Sequence, residues 1–247
     1  MSELDRFNRI VVLTGAGVSA ESGISTFRDQ GGLWEKHRLE DVATPEAFAR
    51  DPRLVWKFYS ARRRRAAAAE ANAAHLALAR FARARSPEPG SFLLVTQNVD
   101  GLHERAERQV GSESSSILAM HGSLTRSRCS VCQKVIEDSH PHLEEDGTGE
   151  LPLSACCGAL LRPDIVWFGE MPMHLEEISA AVNSCDCFVS IGTSGNVYPA
   201  AAFIAWAAQA GACTISLNQE PIPQQSAVQV YLEGPATETV PSLFGRA

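Results

Sequence analysis

An aliphatic run that ends in a glycine-rich turn constrains the fold of this chain more than any other feature. Residues 10–13 are all aliphatic and mostly β-branched, and Thr14 separates them from Gly15, Ala16 and Gly17. Such a run is typical of a strand that is buried on both faces of a parallel sheet. Glycines after the strand let the backbone approach a phosphate group, and the dipole of a following helix favours the negative charge. The pattern predicts an α/β fold with a nucleotide site after the first strand.

The glycine spacing differs from the usual dinucleotide fingerprint. Gly15 and Gly17 fit the first two glycines of G-x-G-x-x-G, but the third position holds Ala20. Neither Glu35 nor Glu40 follows an obvious second strand, where the ribose contact about twenty positions further on belongs. These departures disfavour a dehydrogenase that transfers hydride.

Strand-like and helical patterns alternate along the rest of the chain. Further apolar runs lie at residues 92–95, 117–120, 187–191 and 213–217, and helical patterns lie at residues 45–65, 66–85, 175–183 and 198–210. This alternation predicts a doubly wound, parallel, Rossmann-like sheet. We expect a single domain over residues 1–247, made of a nucleotide-binding part (1–32, 86–123 and 164–247), a helical module (33–85) and a small metal-binding insert (124–163).

Composition restricts the class of partner and the compartment. The chain has 247 residues, of which 22 are basic and 29 acidic, and the net charge of −7 disfavours a nucleic-acid partner. The polar N-terminus has no apolar segment typical of a secretory signal, and no window predicts a membrane span. Seven cysteines without a targeting segment indicate a cytoplasmic protein whose cysteines bind a metal or pack as thiols.

Four sequence blocks, in this order, resemble the sirtuins, the NAD-dependent protein-lysine deacylases. They are the glycine-rich turn and its continuation to Trp34, the stretch 96–103 (TQNVDGLH), the pair His121 and Gly122, and the stretch 192–194 (GTS). The resemblance covers nearly the whole chain. It implies an enzyme that transfers an acyl group from a protein lysine side chain to ADP-ribose, with NAD as co-substrate and one structural zinc ion.

The resemblance assigns most residues of these blocks to the NAD site. Taken alone, Asn98 and Asp100 would be ordinary turn residues, but their sirtuin counterparts line the nicotinamide pocket. Gln97 would face the ribose of the nicotinamide, and Asn218 would bind the adenosine ribose. The predicted NAD-binding residues are Gly15, Ala16, Gly17, Ser19, Ala20, Thr26, Phe27, Arg28, Trp34, Gln97, Asn98, Asp100, Gly192, Thr193, Ser194, Asn218 and Ala236.

His121 is the predicted catalytic base, and Asn98 is the second predicted catalytic residue. A histidine after an apolar strand is more often structural, but its ordinary pKa of about 6.5 lets it accept a proton at neutral pH. In sirtuins the matching histidine deprotonates a ribose hydroxyl once nicotinamide has left. The products are free lysine and an O-acyl-ADP-ribose. His75 and His103 are predicted to be structural.

Tyr59 and Arg62 predict which acyl group the enzyme removes. They stand at positions i and i+3 of a predicted helix, so they share a face, and a phenol beside a guanidinium can bind a carboxylate. The pair matches class III sirtuins, which remove succinyl, malonyl or glutaryl groups. The remaining arginines of the run, residues 63–65, are predicted to form a solvated helix face.

Two further segments are predicted to hold the substrate peptide. Sirtuins sandwich an extended peptide between two chain segments, a form of strand addition carried by backbone hydrogen bonds. Here the segments are residues 166–170 and 196–198. The first supplies the predicted substrate contacts Val166, Phe168, Gly169 and Glu170.

The cysteine pattern of the insert departs from that of the family. Cys129 and Cys132 form a standard first half of a four-cysteine zinc site, and Cys157 stands at the expected last position. Ser154 stands where the partner of Cys157 belongs. Cys156 is the simplest substitute, His140 or His142 could complete the site instead, and a chain without zinc is a further alternative. We predict one structural zinc ion held by Cys129, Cys132, Cys156 and Cys157.

Two alternative functions share the NAD site. An ADP-ribosyltransferase would consume NAD without an acyl-lysine substrate, and a nucleotide-binding regulator would bind NAD without turnover. The presence of His121, Asn98 and Asp100 favours an enzyme over a regulator.

Overall fold

The main sheet is parallel and six-stranded in the computed structural model, which describes residues 3–25, 37–85, 91–112 and 116–245. Its strands, which pair in the order β3-β2-β1-β7-β8-β9, are β1 (Ile10–Thr14), β2 (Phe92–Thr96), β3 (Ile117–Ala119), β7 (Cys187–Ile191), β8 (Cys213–Asn218) and β9 (Val230–Glu233). The chain runs outward in one direction from β1 to β3 and in the other from β7 to β9. The strand order therefore reverses between β1 and β7, where doubly wound sheets bind ligands.

Helices cover both faces of this sheet, as the Rossmann-like prediction requires. Helices α4 (Ala73–Arg85) and α8 (Ala236–Phe244) pack on one face with the side chains of Ile10 and Val12. Helices α6 (Leu175–Ser184) and α7 (Phe203–Gln209) pack on the other face with Val11 and Leu13. Because alternate side chains of β1 enter two separate cores, the strand is aliphatic along its whole length. The predicted fold class is confirmed.

A second, antiparallel sheet of three strands adjoins the first. It consists of β4 (Gly122–Cys129), β5 (Val135–Glu137) and β6 (Leu161–Ile165), with β4 in the centre. Helices α1 (Leu39–Val42), α2 (Pro45–Arg50) and α3 (Pro52–Ala68) share a third core with its residues. The remaining helix, α5 (Leu102–Gln109), packs against α4.

The predicted helix boundaries at residues 45–65, 66–85 and 198–210 are wrong. Asp51 interrupts the first pattern, because a residue before proline avoids helical geometry, and its carboxylate accepts the Leu54 N–H to cap α3. Helix α3 continues to Ala68, and Asn72 then caps α4 by accepting the Ala74 N–H. The last pattern begins with a single 3₁₀ turn, so regular helix starts at Phe203.

The turn after β1 also differs from the prediction. Instead of a regular helix it forms two 3₁₀ turns, Ala16–Val18 and Ala20–Ser22. Gly23, whose φ is +80°, ends the second turn. An anion at this turn would therefore contact backbone N–H groups, and the two short turns would supply a smaller dipole than a regular helix.

Arg63 is not part of a solvated face, so that prediction is wrong. Its guanidinium donates to the carboxylate of Asp138 (3.2 Å), the hydroxyl of Ser127 (3.0 Å) and the carbonyl oxygens of Arg126 and His140. The side chain is buried, with only 1% exposed, and it lies over the ring of Trp56. A charge this deep is retained because each contact is charge-assisted. Arg63 thereby anchors α3 to the second sheet. Arg64, which donates to the carbonyl of Leu143, is half-buried.

Among the described residues, no helix is both long and apolar enough to cross a membrane. The predicted NAD-site residues Thr26, Phe27, Arg28 and Trp34 lie outside the described ranges.

Candidate functional site

A cleft of about 690 Å³ opens where the strand order reverses. The segments that follow β1, β2, β7 and β8 line it, and the segment after β6 and helix α3 line it as well. Many residues singled out in the sequence lie around this one cleft: Gly15, Ala16, Gly17, Ala20, Tyr59, Arg62, Gln97, Asn98, Asp100, His121, Val166, Phe168, Gly169, Glu170, Gly192, Thr193, Ser194, Asn218 and Ala236. Ser19 is fully buried behind the cleft wall.

The turns after β1 and β7 approach each other too closely for side chains. The Gly17 N–H donates to the Gly192 carbonyl over 2.8 Å. A Cβ atom on Gly17 would lie 2.7 Å from the Cα of Gly192, and one on Gly15 would lie 2.8 Å from the Gly192 carbonyl oxygen. Gly192 itself has a φ of +59°. The cleft floor is therefore bare backbone, which fits the close approach of a dinucleotide pyrophosphate.

Asn98 is held by a buried chain of polar groups. Its side-chain amide donates to the Ser19 hydroxyl over 3.1 Å, and that hydroxyl lies 3.3 Å from Nε2 of His75. The rings of His75 and His103 are in contact, and burial lowers the pKa of both. Both rings are therefore neutral at physiological pH, and they position polar neighbours without adding charge to the cleft.

A second set of polar contacts ties the other strand ends together. The Gln97 side chain donates to the Thr193 hydroxyl over 3.2 Å, and the Asn218 side chain donates to the Thr193 carbonyl over 2.7 Å. The carboxylate of Asp100 accepts the N–H of Leu102, the first residue of α5, over 3.0 Å. These bonds fix the side chains that face the cleft.

His121 stands in the turn that joins β3 to β4. Its Nδ1 lies 3.1 Å from the main-chain carbonyl of Gln97, and since a carbonyl can only accept, Nδ1 carries the proton. Nε2 is then left with the lone pair that a base needs. Burial lowers the pKa of His121, an effect that the Gln97 carbonyl partly offsets. The next position requires glycine, because a Cβ atom on Gly122 would lie 2.0 Å from the Asp164 carbonyl oxygen.

Tyr59 and Arg62 meet at the α3 side of the cleft. The Arg62 guanidinium carbon lies 5.9 Å from the centre of the Tyr59 ring. Tyr59 is fully buried, and its hydroxyl oxygen accepts the indole N–H of Trp167 over 2.9 Å. Burial raises the pKa of Tyr59 to about 12, although the charge of Arg62 opposes the rise. The phenol therefore keeps its proton at neutral pH and can donate it.

The segment after β6 is stiffened by an ion pair that the sequence did not reveal. Both carboxylate oxygens of Glu170 accept from Arg162, at 2.6 and 2.9 Å, and one also accepts the Trp167 N–H. These hydrogen bonds outweigh partial burial and hold the pKa of Glu170 below its usual value. Glu170, a predicted substrate contact, lines the cleft, and its carboxylate accepts these three hydrogen bonds. Phe168 and Tyr198, which both line the cleft, remain exposed.

The four predicted zinc ligands lie together. The Sγ atoms of Cys129, Cys132, Cys156 and Cys157 are all within 4.8 Å of one another. In a tetrahedral site with Zn–S bonds of about 2.3 Å, the sulfur atoms would be roughly 3.8 Å apart, so the cluster has suitable dimensions. The hydroxyl of Ser154 lies 2.9 Å from the Cys156 sulfur, outside this set.

The two histidines considered as alternative zinc ligands point elsewhere. His142 contacts the carboxylate of Asp138 over 2.9 Å, and the His140 ring packs against that of His142. The cysteine cluster therefore needs neither histidine.

Sequence reasoning missed Trp167 and Arg63 as contributors to this region. Trp167 was inside the predicted peptide-binding segment, and its aromatic ring next to Phe168 was the available signal. For Arg63 no local signal existed, because Asp138 and Ser127 lie far along the chain.

Comparison with known proteins gives a consistent result. The Sir2 family profile matches residues 15–199. A protein named NAD-dependent protein deacylase from Vibrio vulnificus is 49% identical over 96% of this chain and 92% of its own length. A protein of the same name from Salmonella typhimurium is 49% identical over 96% of this chain and 83% of its own.

Solved structures resemble the chain over nearly its full length. A Sir2 homologue in complex with NAD is 38% identical and superimposes with a TM-score of 0.83 over 97% of this chain and 89% of that one. A complex of Sir2 with a p53 peptide and NAD⁺ is 26% identical, with a TM-score of 0.77 over 96% of this chain and 92% of that one.

Proposed function

Because the chain belongs to the Sir2 family, we propose that it is an NAD-dependent protein deacylase that removes acidic acyl groups from lysine side chains. The observation that carries the proposal is the single cleft shared by three sets of residues. These are the bare glycine floor, the base His121, and the pair Tyr59 and Arg62. With one water molecule consumed, the products would be free lysine, nicotinamide and an O-acyl-ADP-ribose.

The NAD molecule is held by backbone and amide groups of this cleft. Gly15, Gly17 and Gly192 offer a surface without side chains to the pyrophosphate, and the hydroxyls of Thr193 and Ser194 lie beside it. Asn98 and Asp100 bind the nicotinamide end, and Asn218 binds the adenosine ribose. When bound, NAD supplies the electrophilic ribose carbon that receives the acyl oxygen.

His121 acts as the general base. The Gln97 carbonyl fixes the ring so that Nε2 accepts the proton of a ribose hydroxyl, which general-base catalysis accelerates by about 10²- to 10⁴-fold. Its lowered pKa keeps the ring neutral, and so able to accept a proton, at neutral pH.

Tyr59 and Arg62 select the acyl group. A succinyl, malonyl or glutaryl group ends in a carboxylate, which Arg62 binds through charge-assisted hydrogen bonds while Tyr59 donates its hydroxyl proton. The carboxylate is an acceptor only, and both side chains are donors at neutral pH. An acetyl group is also a substrate but makes neither contact.

The substrate is an acylated lysine of a protein, and the exposed side chains of Phe168 and Tyr198, which both line the cleft, support a path for its backbone across the cleft. The four-cysteine cluster holds a structural zinc ion away from the chemistry. It is remote from the reaction because none of its cysteines lines the cleft.

Nicotinamide release tests the proposal against its two alternatives. A deacylase releases nicotinamide from NAD only when an acyl-lysine peptide is present, and in proportion to the lysine freed. An ADP-ribosyltransferase would release it with an unacylated peptide, and a regulator would release none with either. Release that is independent of the acyl group would refute the proposed function.

A further inference from the structure

We propose that Trp167 is a positioning residue for acidic acyl groups, because its indole N–H orients the Tyr59 hydroxyl so that the hydroxyl proton is offered to the acyl carboxylate. The inference rests on the function proposed above and adds a residue that determines its specificity. It starts from one contact, the 2.9 Å hydrogen bond from Nε1 of Trp167 to the Tyr59 oxygen. Both residues line the cleft.

The direction of this hydrogen bond follows from the chemistry of the two groups. An indole nitrogen can only donate, whereas a phenol oxygen donates one proton and accepts at its lone pairs. Trp167 therefore occupies a lone pair of the Tyr59 oxygen and leaves the hydroxyl proton uncommitted. Among the described residues, the structure gives that proton no acceptor. An acceptor at position 167 would instead have captured the proton and removed Tyr59 as a donor.

The hydroxyl is suited to a carboxylate in this state. Because burial raises the pKa of Tyr59 to about 12, the phenol stays protonated at neutral pH, and its proton is available to an acceptor in the cleft that Tyr59 lines. Arg62, one helical turn further along α3, carries the positive charge that draws such an acceptor towards Tyr59. A carboxylate is an acceptor and carries the matching charge.

Trp167 is itself held rigidly, which a positioning residue requires. The Arg162 guanidinium carbon lies 3.4 Å from the centre of the Trp167 ring, and the Phe48 ring packs against it at 5.5 Å. Glu170 accepts the Trp167 main-chain N–H over 2.8 Å and binds Arg162 at the same time. The indole therefore has one orientation, and its N–H points at the Tyr59 oxygen.

A double-mutant cycle tests this role. Trp167→Phe removes the N–H and keeps an aromatic ring, while Tyr59→Phe removes the oxygen it binds. The readout is the ratio of kcat/KM for a succinyl-lysine peptide to kcat/KM for the same peptide with acetyl-lysine. We expect Trp167→Phe to lower this ratio about 3- to 10-fold, mostly through the KM of the succinyl peptide, in keeping with one neutral hydrogen bond. In the Tyr59→Phe background the same change should leave the ratio within about 2-fold.

The controls separate positioning from packing. Trp206→Phe makes the same substitution at a half-buried tryptophan of α7 outside the cleft, and it should leave the ratio unaltered. If Trp167→Phe fails to fold, 3-benzothienylalanine at position 167 replaces the N–H by sulfur and keeps the ring shape. It should lower the ratio as Trp167→Phe would.

Each outcome has one meaning. A wild-type protein with no activity on succinyl-lysine would refute the acidic-acyl preference proposed above, and this inference with it. A wild-type preference for succinyl-lysine that survives Trp167→Phe would overturn the role of Trp167 alone. An equal loss with and without the Tyr59 oxygen would also overturn it, because the effect would then come from the ring.

Discussion

Nδ1 of His121 lies 3.1 Å from the main-chain carbonyl of Gln97, so the backbone at the end of one strand sets the tautomer of His121, the proposed base, at the end of the next. The Gln97 N–H is in turn bound to the Thr14 carbonyl of β1. Through Gln97, the ring of His121 is therefore held in a fixed position relative to β1 at the centre of the parallel sheet. The glycine floor of the cleft starts one residue after Thr14, which places the base and the floor in one rigid frame.

This geometry predicts the pH dependence of turnover. His121 must be neutral to act as a base, and burial lowers its pKa below the ordinary value. Activity therefore survives to lower pH than a solvated histidine would allow, and kcat/KM should fall only when the pH drops below about 6.5. The profile of kcat/KM between about pH 5 and 8 measures this effect, since kcat/KM reports the pKa values of the free enzyme.

His121→Ala provides the control. It should bind NAD normally by calorimetry but lose about 10²- to 10⁴-fold in turnover, and its residual activity should lack the acidic limb. His140→Ala, an exposed histidine outside the cleft, should keep both activity and profile. Near-normal turnover by His121→Ala would remove His121 from the mechanism.

The sequence predicts the parallel sheet well because its signal is local. Each buried strand is a short apolar run, so the strands at Ile10–Thr14 and Cys187–Ile191 were found to within a residue. Contacts between distant segments carry no such signal. Arg63 meets Asp138 across 75 positions and Tyr59 meets Trp167 across 108, so neither the burial of Arg63 nor the partner of Tyr59 was predictable.

The adjacent cysteines of the predicted zinc site show the same difference between a local sequence pattern and a contact between distant segments. Spacing alone left the fourth ligand open, because Ser154 holds the expected position. Only the fold of the loop shows that the Cys156 sulfur lies beside that of Cys132, at 3.0 Å.

Metal content tests the cysteine cluster. We expect close to one zinc ion per chain by elemental analysis, and removal of the ion should unfold the small antiparallel sheet around it. Cys156→Ser should abolish stoichiometric zinc, because serine is a poor ligand for this ion. Ser154→Ala, the matched change two residues earlier, should keep it. A metal-replete wild-type protein without zinc would contradict the prediction, as would full zinc content in Cys156→Ser.

The buried ion pair of Arg63 predicts a large effect on stability. Asp138→Ala leaves the buried guanidinium without its carboxylate, and we expect the free energy of unfolding to fall by about 3–5 kcal/mol. Asp41→Ala is the matched control, because Asp41 pairs with Arg50 at the surface and should cost less than about 1 kcal/mol. Urea unfolding measures both. If both substitutions lowered the free energy of unfolding equally, the buried ion pair of Arg63 would contribute no more to stability than the surface pair of Arg50.

The proposed preference for acidic acyl groups predicts a change of specificity. Arg62→Met combined with Tyr59→Phe should remove about 1.5–3 kcal/mol of binding to the acyl carboxylate. That corresponds to a roughly ten- to more than hundredfold loss of succinyl-lysine turnover. Acetyl-lysine turnover should be kept or improved, because an acetyl group has no carboxylate and makes no contact that the substitutions remove. Kinetics on one peptide carrying either group measure the change, and equal losses on both would assign the pair to folding or general binding.

The most direct measurement follows the acyl group itself. The wild-type protein is incubated with NAD and a succinyl-lysine peptide, and the products are quantified by mass spectrometry. The account predicts nicotinamide, unmodified peptide and succinyl-ADP-ribose in equal amounts, formed faster than the corresponding products of the acetyl-lysine peptide. Nicotinamide released while the succinyl group stays on the peptide would contradict the account, as would faster turnover of acetyl-lysine.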